Sequence, residues 1–491
     1  MSSTVALPFW IVVALSVLAV IAVLDRLLVP SVRWALRRRA NRAIDKMNAR
    51  LQMQIQPFKL TTRQVLTDQL VYDPEVLHAV EQYAKENKIP REVAAEKVKR
   101  YAREIVPSFS AYTYFGIGAR LARILSESLY RVRIGYRNDE AFARMAPGSS
   151  VIAVINHRSN MDYVLVTYIA STASALSYAV GEWAQIFGLR ELIRSMGAYF
   201  IRRDSRDALY RKVLARYVHM ATSAGVVQAV FPEGGLSRDG RLRPPKLGLL
   251  SYMVSSFDPQ GARDVVFVPV GLNYDRVLED RLLTATVDRE PETKSSFRFS
   301  LLTFARHLFE HLWKAARGDW HRFGYTCVSF GEPISLRAYL AERGIDFRTM
   351  TPEARHAEIE RLGYKLMAAV GRVVPALPVS LVSTAMVQAG ADALTLLDIK
   401  ERVSGLIHRL EASGAYVHIP RADRDYAIDI GLRVLTERGI VVEEGGNYHA
   451  NPNELILLEY YANAIAHLFS NVPPLEVVAT PKASEPLRAQ G

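Results

Sequence analysis

The spacing of apolar residues changes character several times along this chain, and each change predicts a different kind of element. Residues 5–24 run without a charge and are followed by Arg26, Arg33, Arg37, Arg38, Arg39 and Arg42. At 1.5 Å rise per residue such a helix is about 30 Å long, the thickness of a bilayer's hydrocarbon core. The pattern predicts a single spanning anchor over residues 1–30. A secretory signal is the alternative, but no basic segment precedes the apolar run. Basic flanks stay on the cytoplasmic side, which places the remaining chain there. Helical periodicity then appears over residues 74–88 and 91–105, divided by Pro90, and predicts a helical cap within residues 31–145. Residues 111–130 mix Tyr112, Tyr114, Phe115, Leu121, Ile124 and Leu125 with Arg120 and Arg123, which fits an interfacial helix or a buried helix of the cap equally.

From Ser150 the period shortens. Apolar runs over residues 151–155, 175–180, 198–201, 226–231 and 265–270 alternate with helical stretches, the signature of an α/β sheet, so residues 146–335 are expected to form an α/β core. The charged stretch 288–296 reads as a loop, and residues 325–330 as one further strand. Residues 336–472 read as mostly helical, interrupted over residues 439–449 by a hairpin with a glycine turn. Helices followed by a hairpin are compatible with a winged-helix module. The tail 473–491, rich in Pro, Ala and Ser, reads as disordered.

Composition narrows these readings. With 491 residues, 49% of them hydrophobic, the chain has the material for a large core. Its one cysteine, Cys327, excludes an intramolecular disulfide framework, and nothing near it forms a metal knuckle. The net charge of +12 is shared between the arginines after residue 24, suited to anionic membrane lipid, and residues 202–246, suited to acidic substrates.

The densest chemistry lies in Asn156-His157-Arg158-Ser159-Asn160-Met161-Asp162, where an apolar run delivers a histidine five positions ahead of an aspartate. The same spacing recurs at His418 and Asp423, so context must separate the two. Only the first copy is followed by Gly197-Ala-Tyr-Phe-Ile-Arg202-Arg203, then Phe231-Pro232-Glu233-Gly234-Gly235-Leu236-Ser237-Arg238, then Val268-Pro269-Val270-Gly271. In this order the blocks resemble the acyltransferases of phospholipid synthesis. The fuller matches NHRSNMDYVLV, SYAVGEWA, GAYFIRR and FPEGGLSRDGR are similar to the glycerol-3-phosphate acyltransferases. The resemblance covers residues 58–335 and, more loosely, the C-terminal third.

It implies an α/β acyltransferase core that moves an acyl group from acyl-CoA or acyl carrier protein to glycerol-3-phosphate, giving lysophosphatidic acid, with no metal or other cofactor. The expected setting is the inner membrane of a bacterium, with a single pass and the catalytic region cytoplasmic. Acyl transfer to an alcohol needs a base, and His157 oriented by Asp162 fits that need; the substrate hydroxyl is itself the nucleophile. Arg202 or Arg203 offers a fork for the phosphate. Glu233, Gly234, Ser237, Arg238 and Lys246 complete the expected acceptor site, and Pro269 its wall. One departure stands out: the family usually carries Arg shortly after the Glu-Gly pair, where this chain has Leu236, and Arg238 and Arg241 are the candidate substitutes.

Two short motifs point elsewhere. His307, Glu310 and His311 match a zinc-protease signature without an identifiable third ligand, and Gly116 and Gly118 match only part of a dinucleotide loop. Within the acyltransferase reading, lysophosphatidic acid or dihydroxyacetone phosphate is the alternative acceptor. From another class, a membrane-tethered winged-helix protein would bind nucleic acid. Residues 395–411, however, alternate Asp398, Lys400, Glu401, Arg402, Arg409 and Glu411 instead of presenting a basic stripe, so no nucleic acid is expected.

Overall fold

In the computed structural model, which describes residues 51, 53–181, 189–202, 205, 207–285 and 322–469, the five apolar runs become the parallel part of one sheet. Its strands are β1 (Arg131–Ile134), β2 (Ser150–Ile155), β3 (Ser177–Gly181), β4 (Tyr199–Ile201), β5 (Gln228–Val230), β6 (Val265–Tyr274), β7 (Tyr325–Phe330) and β8 (Ile334–Ser335). They are ordered β1-β7-β6-β2-β5-β3-β4, with β8 also on β6. All neighbours from β6 to β4 are parallel, whereas β7 and β8 run antiparallel to β6. Every residue of β6 is buried, which explains why the run reads as continuous hydrophobicity and not as alternation: both faces of the sheet are covered. Because the central strands are parallel, their carboxyl ends open on one crevice, where the motif residues follow β2, β4 and β5.

Pro269 sits in the middle of that buried strand, a position usually closed to proline. Its carbonyl accepts the N–H of Gly331 at 2.8 Å, so the side on which its own donor is missing faces the corner where β6 changes partner from β8 to β7. The register sets Gly331 opposite Pro269, so the return bond from the proline nitrogen is absent and the antiparallel ladder with β7 stops at Val270.

The cap consists of the helices Arg63–Val71, Pro74–Glu86 and Arg91–Ile105, packed on the helix Ala208–Ser223. Asp73 starts the second by accepting the N–H of Glu75 with Pro74 in the first turn, and it also holds Arg216 at 2.8 Å. That helix stops short of the expected residue 88, where Lys88 turns to φ 52. Cap, sheet and the C-terminal helix Pro352–Arg372 share one core cluster, from Leu66 to Val370.

Beyond it the helix Pro378–Ala389, strand β9 (Leu394–Thr395), the helices Leu396–Ala412 and Arg424–Glu437, and the hairpin of β10 (Val441–Glu444) and β11 (Asn447–Ala450) follow in winged-helix order. Their sheet is β10-β11-β9, and Gly445 and Gly446 turn the hairpin at φ 60 and 84. The helix before the hairpin carries Arg424 and Arg433 against Asp425, Asp429 and Glu437, a net charge of 2 − 3 = −1, which opposes nucleic-acid phosphate. The helix Leu455–Ala466 closes the fold.

Among the described residues no helix is long and apolar enough to cross a membrane. The predicted anchor with its arginine collar, Arg203, the segment 288–296, the His307 motif and the tail lie outside the described residues.

Candidate active site

Strand β2 ends at Ile155, and the next side chain pins its end to β6: the Asn156 amide donates to the Leu272 carbonyl at 3.0 Å and accepts the Leu272 N–H at 2.9 Å. The chain then turns into the helix Met161–Ala170, bringing His157 and Asp162 together in a buried pair. His157 Nδ1 lies 2.8 Å from Asp162 Oδ2. The same oxygen accepts the N–H groups of Arg158 at 2.7 Å and Ser159 at 3.0 Å, while Oδ1 accepts the Tyr274 hydroxyl at 2.7 Å. An aspartate accepting from four donors holds the proton on Nδ1 of the neutral imidazole and leaves Nε2 with its lone pair.

The loop after β5 supports the same histidine from the other side. The Phe231 ring lies 4.4 Å from the imidazole between centroids, and Tyr163 meets it edge-on at 5.3 Å. Glu233 accepts the His157 N–H at 2.9 Å with one oxygen and the Arg243 N–H at 3.1 Å with the other. Burial pushes its pKa up to about 7. In the structure this carboxylate ties two loops together and is not among the cavity-lining residues. Ser237 has a similar task, its N–H donating to the His157 carbonyl at 3.1 Å and its hydroxyl to the Arg241 carbonyl at 2.8 Å. Gly234 takes φ 67, and a Cβ there would sit 2.5 Å from the Lys246 side chain.

His157 lines a cavity of about 360 Å³ whose wall is mostly apolar, formed by residues such as Tyr163, Ile201, Leu214, Phe231 and Leu249. Among the described residues its cations are Arg202, Arg211 and Lys246, and Gly234 also lines it. Arg202 reaches the cavity, but its fork is already filled: Nε and Nη2 bind Glu104 at 2.9 and 2.6 Å, and the guanidinium lies 5.1 Å from each of the Tyr101 and Tyr210 rings. That hydrogen-bonded carboxylate holds its pKa above the ordinary value. Arg211, from the helix Ala208–Ser223, also lines the cavity. Arg238 is half-buried, Arg241 and Arg243 are exposed, and none of the three lines the cavity. Nor does Pro269, which packs against Gly331 within the sheet.

His418 stands apart from this chemistry. Its ring packs 5.0 Å from Tyr325, burial pushes its pKa down to about 4, and Asp423 instead caps the N–H of Tyr426 at 3.0 Å.

Behind the pair lies a ring of residues with no local signature in the sequence. Glu279 accepts the Ser159 hydroxyl at 2.9 Å and the Asn160 N–H at 2.7 Å. Arg158 donates to the Gly240 carbonyl and lies 4.9 Å from the Tyr460 ring, while Asn463 donates to the Asp239 carbonyl at 2.9 Å. The Leu455–Ala466 helix therefore holds both motif loops from outside.

An acyltransferase domain model matches residues 133–273, and a model described as the glycerol-3-phosphate acyltransferase C-terminal region matches residues 308–473. Both matches are to acyltransferases, the second to the glycerol-3-phosphate acyltransferases in particular. It is similar to proteins so named from Ectopseudomonas mendocina (30% identical, 83% of this chain, 49% of the relative) and Pseudomonas entomophila (29%, 84% and 49%). The corresponding protein of Xylella fastidiosa is 26% identical over 84% of this chain and 47% of its own. The chain thus spans about half the length of the curated relatives it matches. A solved structure of the 1-acyl-sn-glycerophosphate acyltransferase from Thermotoga maritima aligns with 62% of this chain and 96% of that chain at 15% identity and a TM-score of 0.29. The acyltransferase match holds the His157–Asp162 pair and the Glu233 loop, and the C-terminal match holds Tyr460 and Asn463, which brace them.

Proposed function

We propose that this protein is a glycerol-3-phosphate 1-O-acyltransferase, moving an acyl group from acyl-CoA or acyl carrier protein to the 1-hydroxyl of glycerol-3-phosphate to give lysophosphatidic acid. The observation that carries the reading is His157, fixed in one tautomer by Asp162, on the wall of a mostly apolar cavity that also receives Arg211 and Lys246. The family to which the chain is related supports it.

In this reading the acceptor hydroxyl gives its proton to Nε2 of His157 as its oxygen attacks the thioester carbonyl. The imidazolium, stabilised by Asp162, returns that proton to the departing thiolate as the tetrahedral intermediate collapses. Only the new ester and a free thiol remain. The apolar wall suits the acyl chain. Lys246 and Arg211 are the described cavity cations whose side chains are not locked in a bidentate pair, so they are the assigned phosphate contacts; Arg202 shapes the wall through Glu104. Gly234 keeps the Lys246 stem close, and Ser237 keeps the loop in register. Arg203 and Arg238 stand as further candidates for the phosphate, Arg203 from its place in the GAYFIRR block. The setting is the cytoplasmic face of a bacterial inner membrane, with anionic lipid near the basic collar.

A panel of acceptors offered to the purified full-length chain tests the proposal. The expected result is acylation of glycerol-3-phosphate at its 1-hydroxyl, well above lysophosphatidic acid and dihydroxyacetone phosphate. Preference for either of the others would replace the acceptor assignment, and no transfer to any of them would reject the reaction.

A further inference from the structure

The helical stretch before β1 is built the wrong way round for a helix that faces water. A π-helix, Tyr112–Gly118, runs into the α-helix Ala119–Leu129, and the side packed on the protein has Tyr114 and Leu129 at its ends with only Gly118, Ala122 and Ser126 buried between them. Several of the large apolar side chains instead point outward. Tyr112 is 79% exposed, Ile124 62%, Ile117 48% and Leu121 43%. At about 100° per residue, Ile117, Leu121 and Ile124 fall on one stripe of the helix, with Arg120 and Arg123 along its flank. A solvent-facing helix carries the reverse arrangement. Edge strand β1 and the turn after it continue the same chemistry, with exposed Ile134 and Tyr136 beside exposed Arg133.

We infer that the exposed face of residues 112–124 is an interfacial membrane contact, its apolar side chains entering the boundary between headgroups and acyl chains and its arginines meeting anionic headgroups. Three observations select a bilayer over a protein partner. The stripe is apolar, and its flank carries Arg120 beside the exposed Arg123–Glu127 pair, a net positive edge that an anionic lipid surface attracts. The sequence before it supplies an uncharged run over residues 5–24 and a collar of arginines, the pattern of a membrane-directed segment in the same chain. The same helix packs on Met161–Ala170, whose first turn holds Asp162, so the contact lies one helix away from the cavity in which an acyl chain would be handled. The inference concerns a surface and holds whichever acceptor the enzyme uses.

Its test needs one label per molecule, and the single native thiol, Cys327, is fully buried. Ile117→Cys, Leu121→Cys and Ile124→Cys, made in the full-length chain, are each labelled with a polarity-sensitive fluorophore. Lys85→Cys, on an exposed turn of the cap, is labelled as the control. The proteins are reconstituted into vesicles of mixed phosphatidylcholine and phosphatidylglycerol. The expected result is blue-shifted emission at the three stripe positions, quenching by lipids carrying a shallow nitroxide, and protection from aqueous iodide, with the opposite at Lys85→Cys. Iodide quenching at the stripe equal to that of the control would overturn the inference. So would shielding from both quenchers, since that places the face against protein, either a second copy or the chain's own apolar segment. Because the readout is depth and not turnover, a failed acceptor assignment leaves it intact.

Discussion

Two histidines precede an aspartate by five positions, and the surroundings of their rings give them different work. His157 Nδ1 is held 2.8 Å from an aspartate that accepts from three further donors, and the ring faces the cavity. His418 is packed on Tyr325 while its aspartate caps a helix. His157→Ala should lower kcat by about 10² to 10⁴ with the melting temperature nearly unchanged, since a positioned general base contributes about that much. His418→Ala should leave kcat per folded molecule close to wild type and reveal itself in stability. Equal losses of kcat would mean the wrong pair has been assigned. Glu233 makes a sharper case, because its two oxygens serve the N–H groups of His157 and Arg243. Glu233→Gln presents an amide NH2 to one of those donors, leaving a buried mismatch of about 1–3 kcal/mol. On the proposed reaction, we expect kcat to fall with little change in KM for glycerol-3-phosphate. A selective rise in that KM would return Glu233 to direct acceptor contact.

At the scale of elements, the sheet was the legible part. β-branched runs with no alternation announce strands covered on both faces, and β7 has the bounds its sequence suggests. Placing the motif residues at strand ends followed from the same reading. What local sequence does not carry is the partner across the fold. Tyr274 completes the Asp162 shell from 112 positions away, and Glu104 fills the Arg202 fork from 98 positions away. An arginine followed by another looks free for phosphate until the cap folds over it. The C-terminal helix was likewise legible as a helix but not as a brace. Gly240 tests that brace. It takes φ 85, and a Cβ there would lie 2.0 Å from the Tyr460 carbonyl oxygen, with no flexible side chain to yield. Gly414 takes a similar φ of 78 with open space around it. Gly414→Ala should therefore cost only backbone strain, on the order of 1 kcal/mol, and leave turnover unchanged. Gly240→Ala should push the motif loop off the C-terminal helix, lowering both melting temperature and kcat. Matching behaviour of the two variants would show that the contact with Tyr460 does not position the site.

For the whole molecule, the buried charges around the site set how stability depends on pH. Burial pushes Glu233, Asp275 and Glu279 each up to about 7, from ordinary values of 4.5, 3.8 and 4.5. Between their unfolded and folded pKa values the folded state holds three protons that the unfolded chain has lost, so these groups make stability fall as pH rises toward about 7. The histidines oppose them over the lower part of that range: burial pushes His418 and His467 down to about 4 from 6.5, so the unfolded chain holds the extra protons there and stability rises with pH. Lys59, lowered by burial, acts in the same opposing sense between its folded value and its unfolded value of 10.5, and His219, also lowered by burial, does so below 6.5. Above about 6.5 the histidines no longer titrate in either state, and the three carboxyl groups outweigh the single lysine. The melting temperature should therefore change little between about pH 5 and 6.5 and fall between about 6.5 and 7.5, with the fall ending once the carboxyl groups have ionised. Glu279→Gln, which keeps a carbonyl oxygen for Ser159 or Asn160 but cannot ionise, should flatten the fall by about one proton's worth of slope. A melting temperature that climbs through this window, or a slope that Glu279→Gln leaves unaltered, would show that these carboxyl groups ionise at ordinary values in the folded protein.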